Sequence, residues 1–187
     1  MSKVEDESYI YLVLYVDDML IAAKKKCYVQ KLKELLSSEF EMKDLSVARK
    51  ILGMEIFRDR TKKKMFLSQK AYIEKVLTRF GMLNVKPIDT SCAANFYPTM
   101  SDEMSEGEIN YMSRVPYASD VGSLMYAMVC TRPDLVHAVS VVSRFMVQPR
   151  KEHWIAVKRI FRYLKGTSDI GLVYGDKDPR LVTITFE

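Results

Sequence analysis

The sequence lacks the cysteine pattern of a secreted or zinc-binding domain. Its three cysteines, Cys27, Cys92 and Cys130, are far apart, odd in number and without a Cys-x-x-Cys pair. Neither a disulfide framework nor a structural zinc site is therefore predicted. A reducing, intracellular setting fits this cysteine usage, with the cytoplasm as the first expectation and the nucleus as the alternative.

Long apolar runs and targeting signals are lacking as well. No signal peptide of basic, apolar and small residues opens the chain, and Asp17 and Asp18 interrupt the longest apolar run well short of a membrane span. Internal repeats and low-complexity tracts are also missing. We therefore expect a soluble protein that spans no membrane.

The chain does have a globular composition and a moderate excess of positive charge. Of its 187 residues, 48% are hydrophobic, which is enough for one good-sized domain or two small ones. Lysine and arginine number 29 against 24 aspartate and glutamate, so the formal net charge is +5. This excess favours polyanionic partners, although many ordinary proteins are equally basic.

The N-terminal part predicts a hairpin followed by a helix. Residues 9–16 have β-branched and aromatic side chains on both faces, as in a strand covered on both sides, and residues 19–23 form the return strand. The tight turn between them contains no glycine, and aspartate suits it because it enters the left-handed conformation more easily than most residues. Apolar residues at helical spacing predict an amphipathic helix over 28–40 that packs on the hairpin.

A second hairpin and a second helix are predicted next. Residues 50–58 and 65–68 are strand-like and flank a polar turn over 59–64. The apolar stripe of residues 68–80 predicts a helix, and Gly81 is a natural residue to end it.

The remainder of the chain is predicted to be mostly helical. Prolines, serines, Gly107 and acidic residues predict a long linker over 84–110, the best candidate for a domain boundary. Pro133 suits the first turn of a helix with Thr131 as its cap. Gly166 would close the last helix. The helices are predicted over residues 115–130, 134–147 and 151–165.

Two adjacent carboxylates at a hairpin tip are a candidate metal site. Asp17 and Asp18 repel each other, and burying them among Tyr15, Val16 and Met19 is favourable only when cations or water neutralise them. Mg²⁺ prefers oxygen ligands and keeps water and substrate phosphates in its shell, so few protein carboxylates suffice. In two-metal chemistry such ions activate a sugar hydroxyl and stabilise a leaving pyrophosphate. The alternative is an ordinary solvated turn.

The tetrapeptide Tyr15-Val16-Asp17-Asp18, placed between two strands, resembles the active-site motif of reverse transcriptases. The resemblance covers residues 9–175, and the stretch GSLMYAM with TRPD is not a generic polymerase motif. These motifs identify the chain as a member of the reverse transcriptases of Copia-type LTR retrotransposons. The segments follow one another in that family's order and spacing: LYVDDMLIA, FEMKDL, ILGMEI, LSQKAYIEKVLTRFGM, VPYASDVGSLMYAMVCTRPDL, VSRFM, HWIAVKRIFRYLKGT and GLVYG.

The resemblance implies an α+β fold that is part of a right-hand polymerase. Residues 1–83 would be the rear palm, with the YVDD hairpin, and the start of the thumb. Residues 84–110 would be a linker, and residues 111–168 the helices of the thumb and connection. Residues 169–187 would be the truncated start of an RNase H-like domain.

The resemblance also implies a catalytic pair. Asp17 is the expected principal metal ligand and Asp18 the second, with Mg²⁺ as the cofactor and Mn²⁺ as a substitute. The implied reaction is RNA-directed DNA synthesis, in which a nucleotide is transferred to a primer 3′ hydroxyl. The implied partners are an RNA or DNA template-primer and deoxynucleoside triphosphates.

Positioning residues are implied in two places. Tyr15 and Val16 would position the primer terminus and its nucleotide. The hairpin that contains Gly53 and Met54 resembles the one that holds the primer end in this family.

The chain departs from the family pattern in several places. Only 16 residues precede Asp17, and they do not provide the earlier palm strand with a third metal-binding aspartate. The fingers are missing as well. The C-terminal residues 171–175 and 181–186 look like the opening hairpin of another sheet, after which the chain ends. Asp120 occupies a position where family members usually have a small apolar residue, in a helix that we expect to be buried.

These departures predict a fragment of a retrotransposon RNA-directed DNA polymerase that is inactive alone. Two carboxylates are too few to hold two ions, and phosphoryl transfer depends on positioning and charge stabilisation. The missing fingers and front palm would be its structural partner. Two alternatives stay open: a non-catalytic nucleic-acid-binding remnant, and a translated relic without function that exposes apolar surface.

The helix over 151–165 is a candidate nucleic-acid contact. Its basic residues recur at steps of 7, 4 and 3 beside an apolar stripe that includes Trp154, so they share one face. Such a face could follow the phosphates of a duplex, and the alternative is a solvated cationic surface. His137 and His153 lack accompanying ligands and are interpreted as structural. The basic residues are Lys151, Lys158, Arg162 and Lys165.

Overall fold

The computed structural model describes residues 3–4, 8–92, 104–175 and 180–183, which form helices and small antiparallel sheets. The predicted mixture of α and β structure is therefore confirmed, while its assignment to palm, thumb and connection stays a prediction. The chain divides into two units, Met1–Leu52 and Gly53–Glu187. Part of the predicted linker, residues 93–103, and the end of the C-terminal hairpin, residues 184–187, lie outside the described residues.

The first unit is built on the predicted hairpin. Strands β1 (Lys3–Val4), β2 (Ser8–Tyr15) and β3 (Asp18–Ala23) form an antiparallel sheet with β2 in the middle. The register of β2 and β3 runs from Ile10 opposite Ala23 to Tyr15 opposite Asp18. Both strands of the hairpin are thus where the sequence pattern predicts them.

The first unit has little core of its own. Helix α1 (Lys26–Glu39) packs against β3, as predicted, but none of the described residues of this unit is buried. On β2, Tyr11 is 61% exposed and Leu14 is 66% exposed. The expectation that this strand is covered on both sides is therefore wrong for the described residues, because they provide only α1 as a covering element.

The strand predicted over residues 50–58 is interrupted by a turn. Strand β4 (Lys50–Ile51) ends before Leu52, and β5 (Met54–Asp59) begins after Gly53. Leu52 and Gly53 have φ angles of +51° and +67°. Two consecutive left-handed residues are the hallmark of a type I′ turn, which the apolar pattern alone did not reveal because leucine rarely takes the first position.

In the second unit, β5 belongs to an antiparallel sheet with the strand order β5-β6-β7-β8. The other strands are β6 (Lys64–Ser68), β7 (Ile170–Tyr174) and β8 (Arg180–Thr183). The predicted β5–β6 and β7–β8 hairpins both form. However, β7 also pairs with β6, with Leu172 opposite Leu67. The expectation of a separate sheet is wrong because the edge of β6 accepts β7, which buries Leu172 and Val173. The assignment of this segment to an RNase H-like domain stays a prediction.

The helices of the second unit agree with the predicted ones within a few residues, except that α3 lies partly inside the predicted linker and the segment 134–147 is shorter and begins with a 3-10 turn. The predicted boundaries between domains remain predictions. The elements are α2 (Lys70–Arg79), α3 (Glu106–Met112), α4 (Tyr117–Cys130), the 3-10 turn Pro133–Leu135, α5 (Val136–Ser143) and α6 (Lys151–Gly166).

The hydrophobic core of the second unit lies among these helices. Its apolar side chains come from α2, α4, α5 and α6, and each recurs at helical spacing along its element. Asp120 on α4 is buried beside them, as expected. The most deeply buried members are Leu135 of the 3-10 turn and, from the helices, Ile73, Leu77, Val121, Leu124, Val139, Val142, Val157, Ile160 and Phe161.

Local signals end α2 and begin the 3-10 turn. Gly81, with φ +67°, donates its N–H to the Thr78 carbonyl, and Met82 donates to the Leu77 carbonyl, so α2 ends as predicted in a Schellman motif. Pro133 lies in the first turn as expected. Thr131 does not cap it, because its hydroxyl is buried and donates to Gln69 Oε1 at 2.7 Å.

Candidate functional site

The β2–β3 hairpin ends in a two-residue turn. Because Tyr15 pairs with Asp18, Val16 and Asp17 form the loop. Val16 has a φ of +51°, whereas neither aspartate has a positive φ. The expectation that an aspartate takes the left-handed conformation is therefore wrong, since the valine takes it instead.

The backbone at Val16 is strained. A positive φ is a genuine outlier for a β-branched residue, and such conformations cost about 1–3 kcal/mol each. A turn with a positive φ at its first position alone corresponds to type II′, which strongly prefers glycine there. Strained residues cluster at functional sites, where the surrounding structure holds them in place. Here the pairing of Tyr15 with Asp18 holds the turn.

The two carboxylates of the hairpin are exposed. Asp17 and Asp18 are both exposed, and so are their neighbours Tyr15, by 49%, and Val16, by 78%. The aspartates therefore lie at an exposed apolar tip and are not buried as the sequence suggested. Neither the Asp17 nor the Asp18 side chain forms a hydrogen bond or an ion pair with another described residue. Their oxygens are thus uncommitted, and hard divalent cations prefer such donors. Within the described ranges, no three side chains of His, Cys, Asp or Glu come together as a metal site.

Gly53 and Met54 belong to the second unit, at the turn before β5. Gly53 is exposed and left-handed, and a Cβ added there would lie 4.0 Å from the Tyr126 hydroxyl oxygen. Met54 is half-buried as the first residue of β5. The structure therefore places Gly53 on a tight turn that the strand prediction missed and Met54 at the start of β5, whereas their contact with a primer stays a prediction.

The predicted basic face lies on α6 but is partly engaged in packing. Lys151 Nζ lies 5.1 Å from the ring centroid of Tyr111, and Lys158 Nζ lies 5.6 Å from that of Trp154. Arg162 Nε donates to the Lys86 carbonyl at 2.8 Å, which holds a neighbouring segment of chain. Lys165 is half-buried in the last turn.

The two histidines differ in their surroundings. His153 is buried, stacks on Phe145 with 3.7 Å between ring centroids, and accepts the Arg150 N–H at Nδ1. Burial lowers the pKa of His153, which favours the neutral ring that this hydrogen bond requires. His137 lies on the surface, with Nδ1 3.5 Å from Cys92 Sγ.

Sequence reasoning missed a buried polar network around Arg132. The guanidinium is fully buried and binds both oxygens of Asp134, at 3.0 and 2.7 Å, together with the Thr167 carbonyl and hydroxyl. Tyr163 donates its hydroxyl to Asp134 at 2.9 Å. Burial raises the pKa of Asp134, but the Arg132 guanidinium outweighs it and holds that pKa below its usual value. The network joins the TRPD motif to the end of α6, a long-range contact with no local sequence signal.

None of the helices in the described ranges is long and apolar enough to cross a membrane.

Comparison with protein families gives a match over the N-terminal half of the chain. Residues 1–94 match the family described as reverse transcriptase (RNA-dependent DNA polymerase). This match includes the Asp17 hairpin and the Gly53 turn. No solved structure is significantly similar to the chain.

Curated relatives extend the similarity along almost the whole chain. The Retrovirus-related Pol polyprotein from transposon TNT 1-94 of Nicotiana tabacum is 52% identical over 185 residues, which cover 96% of this chain and 14% of that protein. The corresponding protein from transposon RE1 of Arabidopsis thaliana is 36% identical over 166 residues, or 89% of this chain and 11% of that protein. An uncharacterized mitochondrial protein of Arabidopsis thaliana is 36% identical over 172 residues, covering 92% of this chain and 68% of that protein. The chain therefore spans only a small part of the Pol polyproteins that it matches.

Proposed function

This chain belongs to the reverse transcriptase family of Copia-type retrotransposon Pol polyproteins, and on that premise we propose that Asp17 and Asp18 are metal-binding catalytic residues of an RNA-directed DNA polymerase. The observation that supports this role best is the turn itself. A strained valine holds two adjacent, uncommitted carboxylates at the tip of a hairpin. An ordinary solvated turn needs no such strain, because glycine at position 16 would remove it.

The donor set fits Mg²⁺, and Mn²⁺ in its place. Both metals prefer carboxylate oxygens, and the carboxylates of Asp17 and Asp18 are exposed and bind no other described residue. When bound in a polymerase, a pair of such ions promotes attack by the primer 3′ hydroxyl and stabilises the leaving pyrophosphate. We assign Asp17, in the loop, as the principal ligand and Asp18, in the first position of β3, as the second.

The neighbouring residues would hold the substrates. The exposed side chains of Tyr15 and Val16 flank the carboxylates and would position the primer terminus and the nucleotide. The turn at Gly53 and Met54 would support the primer strand, since a glycine turn without a side chain lets nucleic acid approach the backbone closely. A third acid from elsewhere in the polyprotein would complete the site. We therefore expect the chain by itself to be incompetent in primer extension.

The test is primer extension by the polymerase region of a polyprotein that contains this chain. Asp17→Asn removes one negative charge without changing the shape of the side chain, and we expect the extension rate to fall about 100-fold or more. Asp89→Asn, on an exposed loop, makes the same change of charge and should leave the rate unaltered. An Asp17→Asn enzyme as fast as the parent would refute the assignment.

A second candidate function is nucleic-acid binding without catalysis. It is favoured by the basic residues of α6, where Lys151 is exposed and Lys158 and Lys165 are half-buried. Phosphate contacts of this kind need no metal and no intact active site. A relic without function, exposing the apolar face of β2, is the remaining alternative.

A further inference from the structure

Residues 86–92, which precede α3 in the chain, form a segment that lies along α6, and two arginines of α6 hold it there. Arg162 Nε donates to the Lys86 carbonyl at 2.8 Å, and Arg159 donates to the Thr90 hydroxyl at 2.6 Å. Gly166 allows the close approach of Pro87, because a Cβ on the glycine would lie 3.0 Å from the proline Cβ. The segment is therefore packed at both of its ends.

This segment, α5 and α6 line a partly open cavity of about 390 Å³. The segment reaches α5 at Cys92, whose Sγ lies 3.5 Å from His137 Nδ1. The volume falls within the range of roughly 300–1,000 Å³ that small-molecule sites occupy. The cavity shares no residue with the Asp17 hairpin. Its apolar wall includes Met82, Val85, Ala138, Val142 and Ile160.

The charged side chains of the cavity are all cationic. Lys158, Arg159 and Arg162 line it, and no acidic residue does among the described ones. Arg159 Nε is buried and has no hydrogen-bond partner in the described part of the chain. A buried donor without a partner is costly, and an anionic ligand would remove this cost. Cys92 and Arg159 both line the cavity, and at Cys92 burial raises the pKa of the thiol while the Arg159 charge opposes this effect.

We propose that this cavity binds a small amphipathic anion, an aromatic or aliphatic group that bears a carboxylate, phosphate or sulfonate. The apolar wall would take the hydrocarbon part, and Arg159 and Lys158 would bind the anionic group. A nucleic-acid duplex is the less suitable occupant, because its phosphates are strongly hydrated and bind exposed cations, whereas most of this cavity wall is apolar.

The test uses Cys92 as a reporter at the cavity. In a chain with Cys27→Ser and Cys130→Ser, Cys92 is the one remaining thiol of the sequence, and its alkylation rate reports only on this site. Anilinonaphthalene sulfonate, an aromatic anion, should slow the alkylation about tenfold at saturation. Phenylnaphthylamine, its uncharged analogue, should need about a tenfold higher concentration for the same protection, the effect of losing one charged hydrogen bond.

Charge variants locate the anion. Lys158→Gln should raise the concentration of sulfonate needed for half-protection about tenfold. Lys75→Gln removes the same charge from the exposed face of α2 and should have no effect. Arg159 also donates a hydrogen bond to Thr90, so its replacement removes a packing contact as well as a charge. The Arg159→Gln variant is therefore compared with the parent only when circular dichroism shows the same helix content for both.

Three results would overturn the proposal. The first is equal protection by the sulfonate and its uncharged analogue, which would show that no anion is recognised. The second is protection by a DNA duplex without protection by the sulfonate, which would assign the site to nucleic acid. The third is alkylation whose rate neither probe changes, which would show that neither probe binds in the cavity.

Discussion

At the scale of single residues, Asp120 is an ionisable group buried in an apolar core. It is fully buried on α4, and neither of its carboxylate oxygens has a hydrogen-bond partner in the described ranges. Burial raises its pKa to about 7, although the Arg79 charge opposes the shift. The folded chain therefore holds a proton on Asp120 at pH values where the unfolded chain has lost it, and ionisation disfavours folding.

We expect the free energy of unfolding to depend on pH through Asp120. The contribution of this residue is fully present below about pH 4, the ordinary pKa of an aspartate. It is lost as the pH rises towards 7, because the unfolded state gains free energy by ionising Asp120 while the folded state keeps the proton. Asp120→Ala should therefore stabilise the chain by about 4 kcal/mol more at pH 8 than at pH 4. Urea unfolding of parent and variant across this range measures the difference.

Asp89→Ala is the matched control for this experiment. Asp89 is exposed, so its replacement should change stability little and equally at both pH values. If the free energies of unfolding of Asp120→Ala and the parent differed by the same amount at pH 4 and at pH 8, Asp120 would not be the group that titrates.

At the scale of elements, α6 shows how one helix serves two roles. Its apolar stripe, with Val157 and Phe161, is buried in the core. Its basic residues fall into two groups. The side chains of Arg159 and Arg162 donate hydrogen bonds to residues 86–92, whereas those of Lys151 and Lys165 donate none to these residues. The periodicity predicted one basic face, and the structure assigns part of it to packing. The residues best suited to phosphate contacts are therefore the lysines at the two ends of α6.

We expect these lysines to contribute to the salt dependence of nucleic-acid binding. If Lys151 and Lys165 each contact one phosphate, replacing both by Gln should make the slope of log affinity against log salt shallower by roughly 1.8. Titrations of an RNA–DNA duplex by fluorescence anisotropy at several salt concentrations measure this slope.

A variant with Lys70→Gln and Lys75→Gln has the same net charge and changes the exposed face of α2 instead. It should keep the parent slope. Identical slopes for the two double variants would show that only the overall charge matters and that α6 makes no specific contact.

At the scale of the whole molecule, the two units differ in how much apolar surface they bury. The described residues of the second unit include a continuous core among its helices, whereas those of the first unit include no buried residue. Leu12, Val13 and Leu14 of β2 are each at least 47% exposed. Because burial of apolar surface provides most of the driving force for folding, the first unit is expected to be much less stable by itself.

This difference predicts unequal protection from hydrogen exchange. Backbone amides in β2, β3 and α1 should exchange about 100-fold faster than those in the buried turns of α4 and α6. Mass spectrometry of peptides from the two units measures these rates. Equal protection in both units would show that the first unit gains stability that its own contacts do not explain.

The sequence by itself determined the features that depend on neighbouring residues. The hairpin around Asp17 and Asp18, the helices with apolar stripes and the end of α2 at Gly81 all follow from periodicity and turn chemistry, and the YVDD motif with TRPD indicated the family. These signals act between residues that are close together in the chain, so they can be recognised without knowledge of the tertiary contacts.

Only the tertiary structure decided the features that depend on which surfaces meet. Pairing of β7 with β6, the bond from Arg132 to Thr167 and the bond from Thr131 to Gln69 join residues far apart in the chain. The same local pattern is compatible with several partners, and packing selects one. The strand β2 illustrates the opposite case, because its apolar pattern requires a covering surface that the described residues of the chain do not supply.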